Sequence, residues 1–303
     1  MEGTIKVSVV VPLFNKKDAI KATINSVLNQ SYSNFELVVV DDGSTDNSVE
    51  TVQQYNDDRI IIFRKINGGP SSARNYGVIH STGSWVLFLD ADDILYPNAL
   101  QDLISPLLCY DNIGLVCGNF KIDCNGKSSL YNKKAFTGIV SNKNKFKWIF
   151  QGKYLARAGA AIIQKKIVEL YPFNEKLWRS EDREASNKWI NHCNVYLISN
   201  VVMVYNNDYN EASKSLGHFD RDYVFHMDFA SASFWERCIL GNLYHSGLLM
   251  YPNLKEYLNR LYGKWDVYRY LYLISIFGHK IIRLIILLSH PRRFYDRINH
   301  FIL

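Results

Sequence analysis

Four short apolar runs within the first 95 residues each stop abruptly at proline, acidic or glycine-bearing residues. They are Val7–Val11, Glu36–Val40, Ile60–Phe63 and Trp85–Leu89. Their length and their β-branched and aromatic content suit buried strands. Between the first two, Lys17–Asn29 places Ile20, Ile24, Val27 and Leu28 on one face at helical spacing. Alternating strands and helices predict an α/β fold, a Rossmann-like, mostly parallel sheet flanked by helices. In an open sheet of that kind, ligands bind beyond the carboxyl ends of the strands. The residues just past each run therefore bear most directly on function.

The fourth run ends in Asp90-Ala91-Asp92. Side chains alternate along a strand, so Asp90 and Asp92 share a face, with small Ala91 between them. The neighbouring sequence offers them no cation, and two carboxylates there repel unless a metal ion lies between them. Oxygen donors favour Mg²⁺ or Mn²⁺, and such an ion completes its shell with water and substrate phosphates. Taken alone, the motif also fits a solvated acidic turn with Asp93 as a third acid.

The second run leads into Asp41-Asp42-Gly43-Ser44-Thr45-Asp46. Adjacent strand residues face opposite ways, so at most one of Asp41 and Asp42 meets a ligand. The same residues could simply punctuate a strand-turn-helix, with Ser44 or Thr45 as cap. Pro12 is expected to end the first strand, before Leu13-Phe14-Asn15. The third run leads to Gly68-Gly69-Pro70, where glycine permits close backbone approach and proline suits a first helical turn. Arg74 and Asn75 then fall near a helix N-terminus, which favours anions.

These motifs carry a resemblance. Val9–Asn15, Val40–Asp46, Gly68–Asn75 and Leu89–Asp93 resemble, in order and spacing, a family 2 glycosyltransferase with the GT-A fold. The likeness covers about the first 115 residues. It implies a sugar-nucleotide donor, usually a UDP-sugar, a divalent metal (Mn²⁺ or Mg²⁺), and inversion at the anomeric carbon. The donor contacts it implies are Pro12, Phe14, Asn15, Asp41, Asp42, Gly69, Arg74, Asn75, Asp90, Ala91 and Asp92. Asp90 and Asp92 would hold the metal, Asp92 more directly.

The resemblance also implies a downstream acidic pair that supplies the base, matched by Trp178-Arg179-Ser180-Glu181-Asp182-Arg183. Asp182 takes the base position, with Glu181 and Trp178 beside the acceptor. Ser180 is placed to cap a helix whose first turn holds both acids, where its dipole favours ionised carboxylates. Relatives often close a mobile loop over the diphosphate, and here Tyr205–His218 makes His218 a candidate metal ligand and Lys214 a second candidate. An ordinary surface histidine fits His218 as well. Gly159-Ala160-Ala161 either leaves room for the donor sugar or packs a strand tightly.

The rest of the chain sets the context. Its 303 residues are 48% hydrophobic, enough for a sizeable core. Five cysteines without metal spacing suggest reduced thiols and a cytoplasmic setting. Residues 1–30 carry no signal-peptide pattern. From Lys255 onward nine Lys/Arg face three acids, an excess of +6 that equals the formal net charge of the whole chain. Lys280 and Arg283 interrupt the apolar run there, which falls short of the roughly 20 residues of a membrane span. A basic, apolar and aromatic tail suits an anionic membrane surface, or a core helix with snorkelling cations. It is too apolar for a nucleic-acid arm.

The expected organisation is a nucleotide-sugar-binding half (1–115), an acceptor-binding half of the same domain (116–220), and a helical, basic region (221–303). The expected activity is transfer of a hexose or N-acetylhexosamine from a UDP-sugar to a saccharide hydroxyl in bacterial polysaccharide synthesis. The acceptor would sit on a lipid carrier, and the protein on the inner face of the cell membrane. Two rivals are a nucleotidyltransferase and a non-catalytic nucleotide-sugar-binding or membrane scaffold protein. Pro12–Asn15 is not the glycine-rich phosphate loop that the first requires, and the second needs no base at position 182.

Overall fold

Apolar runs, buried on both faces at Val7–Leu13, Phe35–Asp41 and Trp85–Phe88 and largely half-buried in the outer run Ile60–Arg64, are separated by helices and build the first half of the sheet. In chain order these are β1 (Val7–Leu13), α1 (Ile20–Leu28), β2 (Phe35–Asp41), α2 (Ser48–Gln53), β3 (Ile60–Arg64), α3 (Pro70–His80) and β4 (Trp85–Phe88). The chain continues through β5 (Ile94–Leu95), α4 (Ala99–Ile104), β6 (Ile113–Cys124), β7 (Lys127–Leu130), β8 (Gly138–Val140) and α5 (Lys145–Phe150). Then come β9 (Ala161–Gln164), α6 (Lys165–Leu170), α7 (Glu181–His192) and β10 (Asn194–Asn206). The computed structural model describes residues 5–150, 154, 156–206, 223 and 236. The chain falls into two units, Met1–Tyr223 and Val224–Leu303. The loop carrying Lys214 and His218 and, apart from Tyr223 and Glu236, the basic region 221–303 lie outside the described residues.

Among the described residues the strand order is β3-β2-β1-β4-β9-β6-β10-β5. β3, β2, β1 and β4 are parallel. β9 runs antiparallel to both β4 and β6, while β10 is parallel to β6. The chain leaves β1 for β2 and β3 on one side, then crosses back to β4 on the other. The strand order thus reverses at β1, which opens a crevice between the carboxyl ends of β1 and β4.

The first strand continues through Pro12 rather than ending there, with Pro12 in register with Val40. The reason is the direction of the missing donor. Val10 O accepts from Leu89 N on the β4 side. Two residues on, Pro12 faces that same side, past the last β1–β4 pair at Val10 and Phe88. No ladder bond is lost.

Helix α7 is fixed by aromatics. Trp189 stacks on Phe88 of β4, with centroids 5.9 Å apart. Phe173 meets Phe88 edge-on at 4.9 Å and Trp189 at 5.2 Å. The Trp189 indole N–H donates to Tyr171 O at 2.8 Å. This cluster packs α7 against β4.

At the amino ends of the strands, buried Glu36 accepts from Ser8 Oγ at 2.6 Å and from Thr82 N at 2.5 Å. Lys6 Nζ lies 2.9 Å from its other oxygen. Burial alone would raise the Glu36 carboxyl, but the Ser8, Thr82 and Lys6 bonds outweigh it and bring it down to about 2.

Candidate active site

The turn after β4 carries Asp90, Ala91 and Asp92. Asp93 N donates to Asp90 O at 3.0 Å, and Ala91 O accepts from Thr23 Oγ1 of α1 at 3.0 Å. Ala91 is buried, so a small residue is what lets this turn settle onto α1. Both flanking carboxylates have cations beside them. Arg74 Nη2 donates to Asp90 Oδ1 at 2.8 Å. Lys16 Nζ donates to Asp92 Oδ2 at 2.8 Å. The expectation that Asp90 and Asp92 lack a nearby cation is corrected here. The cations come from α3 and from the loop after β1, so local sequence could not reveal them.

Arg74 is buried and bridges the halves of the site. Its Nη1 donates to Glu181 Oε1 at 2.7 Å, at the start of α7. Burial would lower the guanidinium, but Asp90 and Glu181 hold it above its ordinary range. Burial likewise works against Asp90 ionising, and Arg74 overrides it, so Asp90 is lowered. Asp92 is raised, because burial and the Asp90 charge outweigh Lys16.

Asp41 and Asp42 divide as strand alternation requires. Asp41 is fully buried, accepts from Ser44 N at 3.0 Å and lies 3.1 Å from Arg64 Nε on β3. Asp42 accepts from Gly69 N at 2.7 Å, Gly68 N at 3.0 Å and Lys65 Nζ at 2.7 Å. It shapes the glycine turn in front of α3. Gly69 takes φ +87°, and a Cβ there would stand 2.8 Å from Trp178 Nε1, so the indole lies against the glycine backbone. Trp178, half-buried, is thereby brought next to the donor-side loop.

Phe14 is exposed, and Asn15, at φ +50°, accepts from Thr45 N at 2.8 Å while donating its own N–H to Ser44 Oγ. Neither Ser44 nor Thr45 caps α2. α2 begins only at Ser48, with Asn47 at its cap position and no side-chain cap bond there, and Asp46 Oδ1 accepts from Ser48 N at 3.0 Å. Asn75 is committed elsewhere. Its side chain donates to Phe173 O at 3.0 Å and accepts from Phe173 N at 3.0 Å.

α7 begins at Glu181 with both acids in its first turn. Ser180 occupies the cap position but makes no side-chain cap bond, because it is left-handed at φ +56°. A non-glycine residue in that region is strained, and such residues concentrate at functional sites. Asp182 is half-buried, and its Oδ1 accepts from Arg183 N at 2.8 Å. It lines a cavity together with Arg157, Phe88, Phe173 and Trp189.

Sequence reasoning missed Lys16, Arg157 and the burial of Asp93. One Asp93 oxygen accepts from Asn206 N at 3.0 Å. Its Oδ2 is buried without a hydrogen-bond partner among the described residues. Burial and the Asp90 charge hold this carboxyl well above the usual range. Gly159 favours the packing alternative. At φ +79°, a Cβ there would meet Met203 Sδ at 2.6 Å.

The donors here suit a hard divalent ion, which needs only one or two carboxylates when phosphates complete its shell. Asp90 and Asp92 would supply them, and the Asp90 side chain is 30% exposed. Among the described residues no group of three His, Cys, Asp or Glu forms a closed metal cage. No described helix is long and apolar enough to cross a membrane.

The fold and site define a GT-A type domain. The Staphylococcus aureus TarS 1–349 structure with UDP-GlcNAc superposes with a TM-score of 0.66 over 90% of this chain and 80% of that one, at 20% identity. The Glycosyl transferase family 2 model matches residues 8–171, and the chain belongs to that family. An Escherichia coli UDP-Glc:alpha-D-GlcNAc-diphosphoundecaprenol beta-1,3-glucosyltransferase, WfgD, is 39% identical over 117 residues, 38% of this chain and 46% of that protein. A Campylobacter jejuni GalNAc(5)-diNAcBac-PP-undecaprenol beta-1,3-glucosyltransferase is 32% identical over 197 residues, 61% of this chain and 59% of that protein. The matches thus span less than two thirds of either relative.

Proposed function

We propose that this chain moves a hexose or N-acetylhexosamine from a UDP-sugar to a saccharide hydroxyl, with inversion, during bacterial surface-polysaccharide assembly. One observation carries the reading. Arg74 ties Asp90, at the end of β4, to Glu181, in the first turn of α7, and Asp182 is the next residue of that turn, which supports reading the two acidic ends as one centre. Family membership and relatives named for undecaprenol-linked acceptors support it.

In this reading the nucleotide lies along Pro12, Phe14, Asn15, Asp42 and Gly69, while Arg74, buried between Asp90 and Glu181, holds the acidic turn in place. A Mn²⁺ or Mg²⁺ ion held by Asp90 and Asp92 would offset the negative charge that develops on the departing diphosphate. Asp182 takes the proton from the acceptor hydroxyl, and Trp178 and Glu181 border the acceptor. The freed oxygen attacks the anomeric carbon from the face opposite UDP, giving a β linkage from an α-linked donor. No covalent enzyme intermediate is needed.

The acceptor is a saccharide on a lipid diphosphate, and the basic region from residue 255 onward rests on the anionic inner face of the membrane. The test is UDP release from UDP-glucose, UDP-galactose, UDP-GlcNAc and UDP-GalNAc, with bacterial membrane lipid extract as acceptor source. Extract-dependent release from at least one donor is expected. UDP binding without transfer from any of them would favour a binding protein.

A further inference from the structure

An ion pair spans the crevice between the carboxyl ends of β1 and β4. Lys16 follows β1, which ends at Leu13, and Asp92 follows β4, which ends at Phe88. The Lys16 backbone is pinned on the β1 side. Its N–H donates to Ser48 Oγ of α2 at 2.8 Å, and its carbonyl accepts from Ile20 N of α1 at 2.9 Å. The side chain reaches across, and its Nζ stands 2.8 Å from Asp92 Oδ2. Each member of the acidic pair thus has its own cation, Arg74 on Asp90 and Lys16 on Asp92. So compensated, the pair offers a free divalent ion little unbalanced charge, and an ion on Asp92 would meet the ammonium as a like charge. The two cations differ in freedom. The Arg74 side chain is 5% exposed and bonded to both Asp90 and Glu181, whereas that of Lys16 is 26% exposed. An ammonium on a flexible stem can swing aside, and as a point charge it suits phosphate as well as carboxylate.

We propose that Lys16 competes with the divalent ion for Asp92: its ammonium holds that carboxylate across the crevice until a donor diphosphate draws it off, so that ion and donor bind as a pair. The proposal rests on the reading that Asp90 and Asp92 hold the ion. The diphosphate replaces the anionic partner that Lys16 gives up, and Asp92 is released to the ion. Ion pairs are exchanged and no covalent bond changes.

Mn²⁺ binding to the full chain is measured by electron paramagnetic resonance, with and without saturating UDP. The parent is compared with Lys16→Met, Lys16→Gln, Lys16→Arg and Asp92→Asn, with thermal melts alongside. Without UDP, Lys16→Met and Lys16→Gln should each tighten Mn²⁺ binding by about tenfold, within the usual span for coupled sites. With UDP bound, their Mn²⁺ affinity should stay within about twofold of the parent, because the ammonium is then off Asp92 in the parent as well. The factor by which UDP strengthens Mn²⁺ binding should therefore fall about tenfold, and by reciprocity so should the factor by which Mn²⁺ strengthens UDP binding. Lys16→Arg keeps the charge and should bind Mn²⁺ without UDP as weakly as the parent. Unchanged or weaker Mn²⁺ binding by both neutral variants without UDP would overturn the proposal. So would equal tightening with and without UDP, which marks plain repulsion that the diphosphate does not relieve. Undiminished Mn²⁺ binding by Asp92→Asn, or none by the parent even with UDP, would instead remove Asp92 from the ion's site.

Discussion

Asp90 and Glu181 are neutralised by the two terminal nitrogens of a single guanidinium, that of Arg74, at 2.8 and 2.7 Å. One belongs to the turn after β4 and the other to the first turn of α7. A planar fork can serve both at once, whereas a lysine ammonium is a point charge.

Arg74→Gln should therefore destabilise the fold by about 3 kcal/mol, since it leaves buried Glu181 and half-buried Asp90 without a counter-charge. Arg74→Lys should recover less than half of that and little of the transfer activity. Urea melts of the three proteins check this. Equal midpoints for Arg74→Lys and the parent would show that the bridge is dispensable.

For the strand end, EDTA should abolish transfer and Mn²⁺ or Mg²⁺ should restore it. Asp92→Ala should cost roughly 10³-fold in kcat/KM, several kcal/mol of transition-state stabilisation. That variant also removes the Lys16–Asp92 ion pair. Transfer that persists in metal-free buffer would remove the ion from the mechanism.

At the start of α7, Asp182→Asn keeps the shape but cannot take a proton. Its kcat should fall about 10²- to 10⁴-fold with UDP binding preserved. Glu181→Gln, which disturbs the Arg74 bridge, should lower the melting temperature as well as the rate. If the rate losses are reversed between the two, Glu181 is the base.

Much of this was legible in the chain before its fold. The runs from Val7, Glu36, Ile60 and Trp85 are strands, Pro70 opens α3, and Glu181 and Asp182 open α7. Strand alternation foretold that Asp41 and Asp42 would part. The partners of those acids were not legible. Lys16 and Arg74 lie far from Asp92 and Asp90 in sequence, and pairing across that distance leaves no local periodicity. Caps failed as well. Ser44 and Ser180 are good capping residues, but α2 starts only at Ser48, beyond the first, and the second is held left-handed.

Glu36 gives a pH prediction. Its carboxyl is held at about 2 against an ordinary 4.5, so it binds its proton more weakly folded than unfolded. Its stabilisation is complete above about pH 4.5 and fades as pH falls towards 2. Glu36→Gln should lose about 3 kcal/mol at most at pH 7 and flatten the stability curve between those values. Denaturation across pH 2–7 measures both, and an unchanged acid limb would discount the Ser8–Thr82–Lys6 cluster.

The basic region offers a test outside the described residues. Binding to liposomes should rise with anionic lipid and weaken with salt, because that attraction is screened within about 8–10 Å. Replacing Lys280, Arg283, Arg292 and Arg293 with Gln should loosen it and spare turnover of a short soluble acceptor. Failure to co-sediment, with a folding defect on truncation, would make the tail a core element.

The antiparallel course of β9 also bears on how the chain is made. β9 covers one edge of β4, and it is encoded some seventy residues later. Until the ribosome has passed residue 164, Trp85–Phe88 pairs only with β1 and offers a bare, wholly apolar edge to any neighbouring chain. The first 115 residues hold most of the recognisable motifs, yet released alone they should aggregate rather than bind nucleotide. The nascent protein is exposed to mispairing over that interval, and a chaperone that shelters strand edges would be needed most there.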